Sequence, residues 1–320
     1  MPVYAFIFPG QGSQAVGMGR DLAAAFAAAR EVFQEVDDAL SQKLSKLMFE
    51  GPGEELTLTE NTQPALMAHS LAVLRVLERE GGISVAGKAL VVAGHSLGEY
   101  TALAASGAFA VPAAARLLKL RGQAMQKAVP AGTGAMAALL SADMEQAREI
   151  CAEAAPVPES DAIEVVQPAN DNGGGQIVIS GHRTAIERAI EIANARGVKR
   201  AMLLPVSAPF HCALMVPAAD AMAEALERTA PGVPSVPLVA NVSAKRESDP
   251  VRIRDLLIQQ VTATVRWREC VWAMTEMGVD RFVELGAGKV LTGLVKRIAP
   301  DASGIAAGTP AEIEAILKSL

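Results

Sequence analysis

The chain has 320 residues, enough for one large domain and a smaller one, and 51% of them are apolar, so a sizeable core can be buried. Only 4% are aromatic and the formal net charge is -6, which argues against a nucleic-acid binder that stacks bases or tracks phosphates. The three cysteines, Cys151, Cys212 and Cys270, are odd in number, widely spaced and without C-x-x-C spacing, so neither a disulfide framework nor a zinc site follows.

Residues 3–8 form a short apolar run ended by Pro9-Gly10, which predicts a buried first strand rather than a signal peptide, since no basic segment leads it. Asp21 can open a helix in which Leu22, Phe26, Ala29, Phe33, Val36 and Leu40 share one face. Thr62 before Pro64 is an N-cap candidate for a helix over residues 66–77. Residues 88–93 read as a buried strand, and helices follow from Glu99 and over residues 111–125. The Ala-rich stretch 102–115 holds Gly107 and Pro112 and falls short of the ~20 strongly apolar residues of a membrane span. A soluble, cytoplasmic protein is expected.

The middle changes character. A strand over 134–140, a helix over 143–155, strands over 163–166 and 176–179 around the turn Asn172 to Gly175, a helix over 184–195 and a strand over 199–206 give the order β-α-β-β-α-β. This predicts a ferredoxin-like small domain, residues 133–200, inserted into a large α/β domain made of residues 1–132 and 201–320. In the outer segments helix and strand alternate, with later strands expected over 238–242 and 281–285, so the large domain should hold a mainly parallel sheet covered on both faces.

Gly94-His95-Ser96-Leu97-Gly98 fits G-x-S-x-G. The pattern is short, but a predicted strand runs into it and a helix leaves it, which is the setting of a nucleophile elbow. The glycines let the chain turn sharply and keep space around Ser96 open. A serine hydroxyl needs a base within hydrogen-bond reach. Of the four histidines, His69 lies in a helical pattern, His95 sits in the elbow with its ring pointing away from the serine side chain, and His182 falls in the small domain. His211 follows a strand, where catalytic groups gather in such sheets, and is modestly favoured.

Six motifs taken together resemble the malonyl-CoA:acyl-carrier-protein transacylases of dissociated bacterial fatty acid synthesis. They are Phe8-Pro9-Gly10-Gln11-Gly12-Ser13-Gln14, Asn61-Thr62-Gln63-Pro64-Ala65, Gly94 to Glu99, Leu120-Arg121-Gly122, Phe210-His211-Cys212-Ala213 and Gly286 to Leu291, in the family's order and across almost the whole chain. The resemblance implies an α/β-hydrolase-like large domain, Ser96 as nucleophile and His211 as its base. It implies the backbone carbonyl of Gln260 as the group that orients the imidazole, and the amides of Gln11 and Leu97 as an oxyanion hole. Arg121 would grip the malonyl carboxylate through two charge-assisted hydrogen bonds. Gln63 would line the pocket, and Phe210 would narrow it in favour of an unbranched malonyl group. Many stand-alone members carry a smaller residue at the Phe210 position, and Gly173-Gly174-Gly175 replaces a more usual Ser-Pro-Gly. Malonyl-CoA and acyl carrier protein are the implied partners of a monomer without metal or cofactor, and Lys199, Arg200, Lys289, Lys296 and Arg297 are candidates to meet the acidic carrier. Rival readings are a serine esterase or thioesterase, an acyltransferase of polyketide synthesis or malonate decarboxylase, and a binding module that keeps the fold without catalysis.

Overall fold

The computed structural model describes residues 2–318. Their strands fall in two sheets. The larger contains β1 (Tyr4–Phe8), β2 (Ala89–Gly94), β7 (Leu238–Val239), β8 (Arg246–Glu247), β9 (Arg281–Leu285) and β10 (Ser303–Ala307), in the order β10-β9-β1-β2-β7-β8. All neighbours in it are parallel except β7 and β8. The smaller contains β3 (Gly134–Leu140), β4 (Val166–Asp171), β5 (Gln176–His182) and β6 (Arg200–Leu203), antiparallel throughout in the order β4-β5-β3-β6. Numbered along this segment, that order is 2-3-1-4, the ferredoxin-like arrangement that the sequence order predicts.

Continuous apolar strands follow from burial on two faces. In β1, Tyr4, Phe6 and Phe8 enter the main core, while Ala5 and Ile7 enter a second cluster with Trp267, Val271 and Phe282. The small sheet divides in the same way. Ala135, Ala137 and Leu139 pack under the helices Met144–Ala154 and Arg183–Ala195, and Met136 faces the main core. The small sheet is thus packed against the main core of the large domain, and this seam holds the site described below.

Four local expectations need correction. The helical face from Leu22 to Leu40 is carried by two helices, Arg20–Ala25 and Ala27–Leu40, because Phe26 is extended at φ -127° and ψ 126°. Thr62 is not an N-cap. The helix Thr59–Gly81 begins a turn earlier, Leu58 O already accepts from the amides of Asn61 and Thr62, and the Thr62 hydroxyl donates to Leu56 O at 2.6 Å. Pro64 therefore sits in the second turn. The strand expected over 163–166 lies at Val166–Asp171, where Pro168 is tolerated on the edge of the sheet. The strand over 238–242 is cut to two residues, since the chain turns there to pair with β8.

Among the described residues no helix is long and apolar enough to cross a membrane, and no group of three His, Cys, Asp or Glu side chains could hold a metal ion.

Candidate active site

Parallel pairing brings Phe8 of β1 opposite Gly94 of β2, so the loops that leave both strands meet at one end of the sheet. The chain leaves β2, turns at Ser96 with φ 55° and ψ -110°, and enters the helix Leu97–Ala105. Such a conformation costs a non-glycine residue about 1–3 kcal/mol and survives only where its surroundings hold it. Here both backbone polar groups of Ser96 are held from outside. Its N–H donates to Asn241 Oδ1 at 2.8 Å, and its carbonyl accepts from the side-chain Nε2 of Gln260 at 3.0 Å. Asn241 is anchored in turn, donating from Nδ2 to Gly94 O at 2.7 Å.

The flanking glycines act through close approach, not through positive φ. A Cβ on Gly94 would lie 1.9 Å from the carbonyl of Gly98, and one on Gly98 would lie 2.3 Å from Phe8 O. Backbone cannot swing aside as a side chain can. Gly98→Ala is expected to cost more than about 3 kcal/mol of stability, read from the urea midpoint. A midpoint equal to the parent's would mean that the elbow relaxes freely and that this contact is unimportant.

His211, at φ 59°, places Nε2 2.8 Å from Ser96 Oγ and Nδ1 2.8 Å from the backbone carbonyl of Gln260. A carbonyl only accepts, so Nδ1 carries the proton and the Nε2 lone pair faces the hydroxyl. Burial, reinforced by the nearby Arg121 cation, holds the imidazole down to about 3, which keeps it neutral in the resting site. The other histidines turn elsewhere. His95 pairs through Nε2 with Asn172 Oδ1 at 2.9 Å, His69 through Nε2 with Gly308 O at 2.9 Å, and His182 accepts from the Val165 amide.

Arg121, on the helix Val111–Lys127, is only 1% exposed. Nη1 donates to Gln63 Oε1 at 2.9 Å, while Nη2 donates to Gln260 Oε1 at 2.8 Å and to Ser96 Oγ at 3.2 Å. Burial pulls its pKa down, but a guanidinium stays charged. None of these bonds goes to a carboxylate, so the cation keeps its capacity for an anionic partner.

Ser96, His211 and Arg121 open into one cavity of about 620 Å³. Gln11, Leu97, Gln63 and Phe210 line it. Met136, Asn170 and residues 204–207, which belong to or follow the small sheet, line it as well. All eight residues singled out from the sequence thus lie in or against this space, Gln260 through its two bonds to His211 and Arg121. Three contributors were missed: Asn241, Glu99 and the side chain of Gln260. Asn241 could have been flagged as a polar residue that ends an apolar strand on the side of the sheet where the elbow lies. Nothing in the sequence separates the amide of Gln260 from its carbonyl.

Residues 5–310 match the acyl transferase domain family. The chain is 46% identical over 318 residues to the malonyl CoA-acyl carrier protein transacylase of Escherichia coli strain K12, covering 99% of this chain and 100% of that one. It is 44% identical to the Bacillus subtilis transacylase of the same name, covering 100% and 98%. An acyl-carrier-protein S-malonyltransferase structure from Bartonella henselae is 56% identical, covers 99% of each chain and superposes with a TM-score of 0.94. A malonyl-transacylase solved in complex with its type II PKS acyl-carrier protein is 44% identical, covers 99% and 100%, and has a TM-score of 0.94.

Proposed function

The chain belongs to the acyl transferase domain family, and from that premise we propose that it moves a malonyl group from coenzyme A to the phosphopantetheine thiol of acyl carrier protein through malonyl-Ser96. The observation that carries this reading is the convergence of a neutral imidazole and a buried guanidinium on one serine oxygen, at 2.8 and 3.2 Å. A base alone would suit any ester or thioester. A cation that close to the acylated oxygen suits an acyl group ending in a carboxylate.

His211 Nε2 takes the Ser96 proton as Oγ attacks the thioester carbonyl. The oxyanion rests on the amides of Gln11 and Leu97, each worth about 3 kcal/mol of barrier. Collapse breaks the carbon–sulfur bond, and the departing coenzyme A thiolate takes the proton from His211. The carrier thiol then gives its proton to His211, attacks malonyl-Ser96 and releases the serine by the same steps in reverse. Arg121 holds the malonyl carboxylate throughout, with Gln63 steadying the guanidinium and Phe210 limiting branching beside the acyl carbon. Coenzyme A thioester enters as substrate, and no cofactor takes part. The small domain, expected over residues 133–200 but completed by β6 as far as Leu203, contributes Met136 and Asn170 to the lining of the cavity, in a cytoplasmic monomer. Lys199, Arg200 and Arg297 line a concave surface of about 410 Å³ and have no ion-pair partner among the described residues, which suits an acidic carrier. Lys289 suits it less, being paired with Glu312 at 2.8 Å.

Incubating the protein with malonyl-CoA and candidate carriers, then weighing the carriers, tests the whole reading. A carrier gaining one malonyl group is expected, and hydrolysis to free malonate with no loaded carrier would point to a hydrolase instead. The pH course tests the base. Because burial lowers the His211 pKa, the proton-accepting form persists well below the usual imidazole range. Acylation of Ser96 at saturating thioester is expected to stay level down to about pH 5. An acid limb centred near pH 6.5 would show an imidazole that is not shielded in this way.

A further inference from the structure

The helix that leaves the elbow carries, in its first turn, a carboxyl group that no step above uses. Glu99 is 1% exposed. Its Oε2 accepts a close hydrogen bond from Gln260 Nε2 and a longer one from the Asn241 amide, and its Oε1 meets no hydrogen-bonding partner. The other end of the same Gln260 amide, Oε1, accepts from Arg121 Nη2 at 2.8 Å. A buried carboxyl and a buried guanidinium are therefore joined through one amide rather than by direct contact. The amide is fixed in this sense, with Nε2 toward Glu99 and Ser96 O and Oε1 toward Arg121.

This arrangement couples two charges across the malonyl site. An ionised Glu99 offsets part of the Arg121 field and repels an incoming carboxylate, whereas a neutral Glu99 leaves the guanidinium uncompensated. On the reading given under Proposed function, we propose that Glu99 sets how strongly Arg121 holds the substrate carboxylate: binding is tightest with a proton on Glu99, and the arriving carboxylate draws that proton from solvent onto it. Glu99 touches no reacting atom and is a positioning residue.

Burial, opposed by the Gln260 and Asn241 hydrogen bonds and by Arg121, raises Glu99 to about 7, within working range for such a coupling. The groups around it do not titrate there. Tyr100 beside it and Cys270, facing it from the helix Trp267–Glu276, are both pushed up beyond the range of ordinary buffers. His211 is held down to about 3, His95 is lowered by burial, and Arg121 stays cationic.

The test compares kcat/KM for malonyl-CoA and acetyl-CoA from about pH 6 to about pH 8.5. Both thioesters share the coenzyme phosphates and the His211 chemistry, so their ratio isolates the carboxylate. In the parent protein the malonyl-to-acetyl ratio is expected to fall roughly five- to tenfold as pH rises through 7, the size of one partly screened like-charge interaction. In Glu99→Gln it should stay flat at the low-pH level. A flat ratio in the parent, or the same slope in Glu99→Gln, overturns the inference, and a merely structural role predicts either of these. If the variant does not fold, calorimetry of the parent near pH 7 in two buffers of different ionisation enthalpy decides. With a malonyl-CoA analogue whose sulfur is replaced by methylene, uptake of roughly 0.3 to 0.4 of a proton is expected, and no uptake sinks the idea. Failure of malonyl-CoA to acylate Ser96 would instead remove the reading on which the inference rests.

Discussion

A Ser96→Ala protein incubated with malonyl-CoA is expected to gain no covalent acyl group, and its turnover should drop by about five to six orders of magnitude. The reason is local. His211 Nε2 has a single hydroxyl before it, and the cavity wall offers no second nucleophile at that distance: Ser207 bonds to Thr59 at 3.2 Å, away from the imidazole. The residual rate would come from water acting beside the oxyanion donors. Fold loss is not expected to confuse the result, since the bonds that hold residue 96, to Asn241 and Gln260, use its backbone rather than its hydroxyl. Intact mass after mixing reads the outcome, with circular dichroism confirming the fold. Persistent labelling of the alanine protein would place the nucleophile elsewhere and end the proposal.

Arg121→Ala should change what is transferred more than whether transfer occurs. Two charge-assisted hydrogen bonds to a carboxylate are worth about 3–5 kcal/mol in a buried site, so kcat/KM for malonyl-CoA should fall by about a thousandfold or slightly more. Acetyl-CoA, which has no carboxylate to lose, should be used comparatively better. The truncation also leaves Gln63 Oε1 and Gln260 Oε1 without their shared donor, so part of the loss could be disorder around the serine. Arg121→Lys controls for this. It keeps the charge but cannot form the fork, and an intermediate malonyl rate with acetyl transfer still suppressed is expected. Selectivity unchanged in the alanine variant would mean that the carboxylate is recognised by some other group.

The large-scale fold was readable because its signals are collective. Two-faced burial makes β1, β2 and β3 apolar runs, and the order of elements in the middle segment has a single familiar solution. The elbow was readable because strand, glycines and helix occur in sequence around Ser96. What escaped was contact between distant segments. Asn241 reaches Ser96 across 145 positions and the Gln260 side chain reaches it across 164; the first has only its place at the end of an apolar strand to mark it, and the second has no local pattern at all. Residue by residue, His211 was only modestly preferred over its rivals, and family motifs made the choice firm. The structure then separates the four rings by their partners. The start of the helix Thr59–Gly81 was misread because a capping residue before a proline fixes a boundary only when the preceding backbone has not already begun to coil. The strand β10 went unread because Ser303–Ala307 is short, small-residue-rich and at a sheet edge, whereas the final helix Pro310–Leu317 went unread although Thr309 and Glu312 form a capping box at its start.

The cavity lies on a seam, and its lining residues are held in different ways. Ser96, His211 and Arg121 are locked together by Gln260, which bonds to all three. Met136 and residues 204–207, which also line the cavity, make none of those bonds. On the proposed reading, part of the wall is thereby independent of the bonds that hold the serine, the imidazole and the guanidinium. Remodelling Met136 and residues 204–207 can widen or lengthen the chamber while Ser96, His211 and Arg121 stay in place, so a change of acyl chain length need not begin by disturbing them.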